Sequence, residues 1–416
     1  MAETQPRRVA VIGAGIVGTV TASYLLRDGH QVTLIDRVGP GEMTSFGNTG
    51  GISPASVVPV AMPGMLKDVP RWLADPLGPL HVRWRHLPAC LPWLIKFLRA
   101  GRPERVREIA AALTALNRPT FEAYEPLLKD AGLQRLFHRT GQLFVYRSQQ
   151  ALEHDRFAIE LKRSTGLRVD ILNADEIRQL EPSLSADFTH AHFIPDHGHC
   201  KNPGGLVQGL ARHFVERGGI LLREEVRAIE LGADGARRLL TDSDAHEPDC
   251  VVIACGIWST RFARQLGHKV PLESHRGYHV TLPDPKAAPR IMVLSSEDKI
   301  AITPMEMGLR IGGTVELAGL DAPPDYARAR GLLRLAQRAI PGLNGEGYTQ
   351  WMGHRPCLPD SLPVLGPSPR ARNVHFAFGH GHQGLLGASK TGQVIAELIG
   401  NRPPSIDLAP FRVDRF

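Results

Sequence analysis

The chain has 416 residues, 43% hydrophobic and 22% charged, the balance of a globular protein of about two domains and not of a disordered or fibrous one. Its formal net charge of +7 comes without zinc-type spacing or a nucleic-acid-binding motif, so no nucleic acid is expected as a partner. Five cysteines with no CxxC pair exclude a disulfide framework, and no run of ~18 apolar residues is available to span a bilayer.

"MAETQPRR" leads to the first predicted strand without a signal peptide's apolar stretch, which predicts a cytoplasmic protein. Val9-Ala-Val-Ile12 is a short apolar run of the kind a parallel strand buried on both faces requires. It runs into Gly13, Gly15 and Gly18, a GxGxxG pattern. In that pattern the first glycine allows a tight turn, the second lets backbone approach a pyrophosphate, and the third lets helix pack on strand. Ile16 and Val17 open the predicted helix, and "QVTLID" is the next strand. It ends in Asp36, at the spacing of the acid that accepts hydrogen bonds from an adenosine ribose. These features predict a dinucleotide site and leave NAD or FAD open.

"TSFGNTGGISP" follows where a nicotinamide dehydrogenase continues with alternating strands and helices. Ser45, Asn48, Gly50 and Gly51 in it offer hydroxyl and backbone groups to phosphate and ring edges, which points to FAD. Residues 83–107 are basic, broken by prolines and interleaved with Trp84, Leu91, Trp93 and Ile95. Two readings stand: an interfacial helix on a membrane surface, or a helix whose apolar face covers the substrate domain. "CVVIACG" is another buried strand, ending at Gly256. Residues 270–318 alternate as antiparallel strands and contain Tyr278, which as an alternating strand residue could be core. "WMGHRPCLPDSLPVLG" predicts a proline-stiffened loop presenting Arg355, whose planar fork suits two parallel charge-assisted bonds. "NVHFAFGHGHQGLLGASKTGQVIAELI" reads as strand, glycine turn and long helix. Gly381 and Gly384 leave room for a flat ring, His382 flanks the turn, and the helix start at Gly384 or Leu385 offers a positive dipole end. The histidines, His197 to His382, lack ligand spacing, so no metal is expected.

The glycine motif with Asp36, the 45–51 loop, "HRTGQLFVYRS", "CVVIACGIWS", "RGYHV", "GHRPCLPDSLPVLG" and "GHGHQG" together resemble the D-amino-acid oxidase superfamily of FAD enzymes, most of all the bacterial D-amino acid dehydrogenases. The resemblance implies an α/β fold: a Rossmann-like FAD-binding domain and an α+β substrate domain built on an antiparallel sheet. It implies a discontinuous FAD domain (1–56, 196–268, 352–416) and a substrate domain (57–195, 269–351). It further implies that the Val226 backbone contacts adenine, that Arg355 holds the substrate carboxylate, and that Tyr278 faces substrate. The implied reaction is oxidation of a D-amino acid by hydride transfer to non-covalent FAD, with no protein nucleophile or assigned base. Electrons would pass to an acceptor such as a membrane quinone. Alternatives are oxidation of glycine, sarcosine, hydroxyproline or another secondary amine; a membrane-associated electron-transfer subunit, docked through residues 83–107; and a noncatalytic dinucleotide sensor.

Overall fold

A strand with no polar side chain between Val9 and Ile12 can sit only where both faces are covered. In the computed structural model, which describes residues 5–54, 56–65, 69, 78–233 and 235–416, Arg8–Ile12 lies inside a six-stranded sheet. The order is Ile220–Arg223, Gln31–Asp36, Arg8–Ile12, Cys250–Ile253, Ala371–Phe378, Val364–Ser368. The first five strands are parallel, and the last pairs antiparallel at the edge. Alternation splits the central strand between two cores. Val9 and Val11 pack with Leu25, Phe214 and Ile395. Ala10 and Ile12 pack with Ile253, Phe262 and Phe376.

Helices Ile16–Arg27, Pro203–Glu216 and Gly384–Ile399 cover the first face. The glycine Gly392 lets the first and last of them approach: a Cβ there would lie 2.9 Å from Val20 Cγ1. A three-stranded antiparallel sheet, Ala228–Gly232, Gly235–Leu240 and Ala245–His246, covers the second face with helix Ser259–Gln265.

A nine-stranded sheet forms the other half. Glu273–Leu282 is flanked by Thr349–Cys357 and Gly308–Leu317, both antiparallel to it. One face buries Tyr278, Val280, Ile302 and Ile311 against Leu332 and Ala336 of helix Ala327–Ala339. The opposite face looks toward the C-terminal ends of the parallel strands. The expected Rossmann-like and antiparallel halves are therefore both present.

Two elements cross the expected domain boundaries. Thr349–Cys357 belongs to the nine-stranded sheet beyond residue 352, because its pairing with Glu273–Leu282 continues to Cys357. Helix Thr120–Ala131, expected with the substrate domain, packs Phe121, Tyr124 and Leu127 against Ile16, Val20 and Leu385 of the nucleotide half. Residues 83–107 contribute helix Leu87–Ala100 and the start of Pro103–Asn117. Cys90 and Trp93 turn inward, while Trp84, Leu91, Ile95 and Leu98 remain exposed. Among the described residues no helix is long and apolar enough to cross a membrane.

Candidate functional site

A long cavity lies between the parallel strands' C-terminal ends and the nine-stranded sheet, running from Asp36 and Arg37 past the first glycine turn to His382 and Arg355. At its nucleotide end, Gly13 has φ +108°, a region costly for any other residue, and a Cβ there would lie 2.6 Å from the Ala254 carbonyl oxygen. Gly15 is different: only Ser45 Oγ, at 3.4 Å, comes near its absent Cβ. It therefore leaves space on the cavity side, while Gly13 shapes the turn. Asp36 Oδ2 accepts the Ala14 N–H at 2.6 Å and Oδ1 accepts the Val38 N–H at 3.1 Å. Burial pushes its pKa up against these bonds. Its neighbour Arg37 lies 4.6 Å over the Trp258 ring, and Glu224, Glu225 and Val226 form the adjoining wall. The Val226 carbonyl accepts a hydrogen bond from Arg261, so that backbone acceptor already has a donor.

The glycine-rich loop after Asp36 is clamped between the two halves. Ser45 Oγ accepts the Ile16 N–H at 3.0 Å, and Asn48 Oδ1 accepts the Gly50 N–H at 2.7 Å. Thr44 Oγ1 donates to the His354 carbonyl at 2.8 Å. From the sheet, the buried Arg310 donates to the carbonyls of Phe46 and Asn48 at 2.9 and 2.8 Å. His279 Nδ1 lies 3.1 Å from the Gly47 carbonyl oxygen. Ser45 and Asn48 thus line the cavity with side chains already engaged in holding the loop.

Gly13, Gly15, Ile16, Val17, Asp36, Ser45, Asn48, Val226, Gly256, Gly381, His382, Gly384 and Leu385 all line the cavity, as do Arg355 and Tyr278. Gly18, Gly50 and Gly51, expected at the cofactor, do not. A Cβ on Gly18 would sit 1.7 Å from the Gly13 carbonyl oxygen, so this glycine seats the helix on the turn. Gly50 has φ +77° against the Cys200 carbonyl, and Gly51 pairs with His199 in a small sheet.

Arg355 lies on strand Thr349–Cys357, opposite His275, and not on a proline-stiffened loop. The neighbouring prolines do not prevent pairing because the strand is at the edge of its sheet. Its guanidinium lies across Gly277, where a Cβ would come within 2.1 Å of Cζ. Nη1 donates to the Thr314 carbonyl at 3.1 Å. Among the described residues no carboxylate pairs with Arg355, and burial pulls its pKa below the ordinary arginine value.

Tyr278 requires a correction. Its ring packs in the sheet's core cluster, its hydroxyl donates to Glu316 Oε2 at 2.5 Å, and the Asp325 N–H donates to that hydroxyl at 3.0 Å. The phenol is engaged on the face away from Arg355. Arg276 shares that face: it donates to the Ala322 carbonyl and lies 3.4 Å from Glu316, which also accepts from Arg83.

Several cavity residues carried little signal in the sequence. Arg37, Trp258 and Trp351 are ordinary loop and strand residues until the fold brings them to the wall. Gly277 did carry one, since a glycine inside a strand marks a close approach. His275, Cys357 and His382 also converge, their ligand atoms within 4.8 Å of one another. Their spacing gave no sign of this, because two strands and a turn supply them separately.

The cavity's shape and donors suit an extended dinucleotide. The N-terminus of helix Ile16–Arg27 lies on its wall near one end, an acid closes the strand beside it, and the glycine turn Gly381–Gln383 lies at the other. The sequence model of the DAO family, described as FAD dependent oxidoreductase, matches residues 8–398. A D-amino-acid oxidase of Bradyrhizobium diazoefficiens is 38% identical over 417 residues, 99% of each chain. A D-amino acid dehydrogenase of Paramagnetospirillum magneticum is 34% identical, covering 98% of this chain and 99% of the relative. Glycine oxidase from Geobacillus kaustophilus superposes with TM-score 0.75 at 22% identity, over 99% of each chain. L-proline dehydrogenase from P. horikoshii superposes with TM-score 0.76 at 20% identity, over 99% of this chain and 98% of its own. At those identities the two structures speak for the fold alone.

Proposed function

The chain belongs to the DAO family of FAD-dependent oxidoreductases, and on that premise we propose that it oxidises D-amino acids. The overall reaction is D-amino acid, water and oxidised acceptor to 2-oxo acid, ammonia and reduced acceptor. FAD, when bound, supplies the hydride acceptor for the substrate α-carbon and passes the electrons on. The chain's own residues bind and orient. The backbone of residues 13–17 and Asp36 would hold the adenosine and pyrophosphate end, and Gly381, His382, Gly384 and Leu385 the ring end.

The observation that carries this reading is Arg355: a partly buried guanidinium at the ring end of the cavity with no acidic partner among the described residues. A substrate carboxylate supplies the missing charge through two parallel N–H···O bonds, which fixes the α-carbon's orientation as well as its position. Tyr278 has no part in this, since its hydroxyl serves Glu316. The relatives' printed names, oxidase and dehydrogenase of D-amino acids, support the substrate class. The test is 2-oxo acid release from a panel of D-amino acids, set against glycine, sarcosine and hydroxyproline. Turnover confined to the second group would replace the reading with secondary-amine oxidation.

One observation favours a particular acceptor. On helix Leu87–Ala100, Leu91, Ile95 and Leu98 make an exposed apolar stripe beside the exposed Arg99, and Trp84 and Arg85 precede it. Apolar and basic groups together suit the interface of an anionic membrane, where a quinone would take the electrons.

A further inference from the structure

Beside Arg355, on the same face of the nine-stranded sheet, lie two side chains that the proposed oxidation does not use, and a third reaches them from the turn at the ring end of the cavity. His275 is the cross-strand partner of Arg355, Cys357 is two residues along the strand, and His382 comes from the turn before the C-terminal helix. One ligand atom from each lies within 4.8 Å of the other two. A tetrahedral ion with bonds of about 2.0–2.3 Å needs ligand atoms somewhat closer than this, within reach of small side-chain rotations.

One member of this group, His275, is buried with its ring nitrogens unsatisfied. His275 is 5% exposed, yet among the described residues neither of its ring nitrogens has a hydrogen-bond partner. A buried imidazole left so is costly, and a ligand on one nitrogen removes part of that cost. The surroundings hold the ligands in place. Trp93 meets the His275 ring edge-on at 4.9 Å and donates its indole N–H to the Cys357 carbonyl at 3.1 Å. The His275 and His382 rings meet edge-on at 5.9 Å.

We propose that His275, Cys357 and His382 form a three-ligand site for a borderline divalent cation, Zn2+ above all, and that its occupation blocks substrate at Arg355. Two imidazoles and a thiolate are the ligand set of Zn2+ or Co2+, not of Mg2+ or Ca2+. Burial pushes the Cys357 thiol up to about 12, so binding must displace its proton to solvent, and His382 on the cavity wall sets the ion at the edge of the cavity. The nearby guanidinium weakens the site, which suits a reversible inhibitor more than a permanent structural ion. The inhibitory half rests on Arg355 as the carboxylate anchor; the site itself does not.

The test titrates the purified, flavin-loaded protein with Co2+ and follows the visible d–d absorption on the red side of the flavin bands. A tetrahedral-type spectrum saturating near one equivalent is expected, abolished by Zn2+ and absent in Cys357→Ser with the flavin spectrum retained. His275→Gln, at a residue outside the cavity lining, gives the same reading if the serine variant loses its flavin. Zn2+ should raise the apparent KM for a D-amino acid by about tenfold or more, reversed by a chelator. Absence of the d–d spectrum, or its survival in both variants, overturns the site. The spectrum together with unchanged amino acid turnover overturns the inhibition. If no D-amino acid is turned over at all, the functional reading fails while the Co2+ spectrum still decides the site.

Discussion

Arg355 is asked to stabilise a carboxylate in a place that water leaves when substrate binds. Replacing it by leucine should cost about 2–5 kcal/mol, a loss of roughly thirty-fold or more in kcat/KM, with flavin content near normal. Arg355→Lys should recover only part, since a point charge does not reproduce the two-bond fork. Steady-state kinetics on both variants checks this; leucine activity within about threefold of the parent would remove Arg355 from the site. Gly277 offers a subtler probe. An alanine there places Cβ 2.1 Å from Arg355 Cζ, displacing a side-chain end and no backbone. Gly277→Ala should therefore retain fold and flavin while raising KM for the amino acid; an unchanged KM would show that the guanidinium's position is not critical. Arg355 was legible in the sequence as a chemical type, and its strand setting was not. Tyr278 was misread for a specific reason. Glu273–Leu282 is buried at every position but the first, so hydrophobic alternation does not reveal which face looks at the cavity. The phase comes only from pairing: His275 and Gly277 share a face with Arg355, and Arg276 and Tyr278 point to Glu316.

At the scale of elements, the first strand, glycine turn, helix and acid were readable because each has a local cause: apolar run, left-handed glycine, close packing and strand end. What the local pattern did not separate was glycine at the ligand from glycine in the scaffold. Gly18→Ala drives Cβ to 1.7 Å from the Gly13 carbonyl oxygen, a backbone atom of the turn itself. The variant should be recovered with little or no flavin, as absorbance of the purified protein would show; normal flavin content would mean that the turn yields. Helix Leu87–Ala100 carries the opposite lesson, since the two sequence readings of it are compatible. Trp93 and Cys90 pack inward while Leu91, Ile95 and Leu98 stay exposed. The pair Leu91→Ser and Ile95→Ser should reduce flotation with vesicles rich in phosphatidylglycerol several-fold, leaving amino acid oxidation with a soluble acceptor unaffected. Equal flotation of parent and variant would assign the stripe to something other than a membrane.

For the whole molecule, fold class was legible because the two halves have different periodicities: buried parallel runs in one, alternation in the other. The boundaries were not. Pairing carries Thr349–Cys357 across the expected junction, and side-chain packing draws helix Thr120–Ala131 to the nucleotide half. Both are long-range facts without local signature. A property of the assembled fold is its burial of neutral histidines. Away from the cavity lining, burial holds His192 at about 2, His197 at about 3, and His199 and His375 at about 4, from an ordinary 6.5. Each is neutral in the fold and takes up a proton only on unfolding. Their contribution is complete above about pH 6.5 and is lost as pH falls toward 4, by up to about 1.4 kcal/mol per pH unit for each. The denaturation midpoint of the holoprotein should drop clearly between pH 7.5 and 5.5; an equal or higher midpoint at the lower pH would mean these rings are charged or wet in the fold.

The central claim is that the Arg355 end of the cavity presents the α-carbon of a D-amino acid to FAD. The direct measurement is anaerobic mixing of the flavin-loaded protein with D-amino acids, their L-enantiomers, and N-methyl or cyclic amines, following loss of oxidised flavin absorbance. At least one D-amino acid should bleach the flavin completely, with its L-enantiomer slower by about a hundredfold or more and the same D-substrate slowed by Arg355→Leu. Bleaching by L-enantiomers or secondary amines, with no D-amino acid reacting, would contradict it.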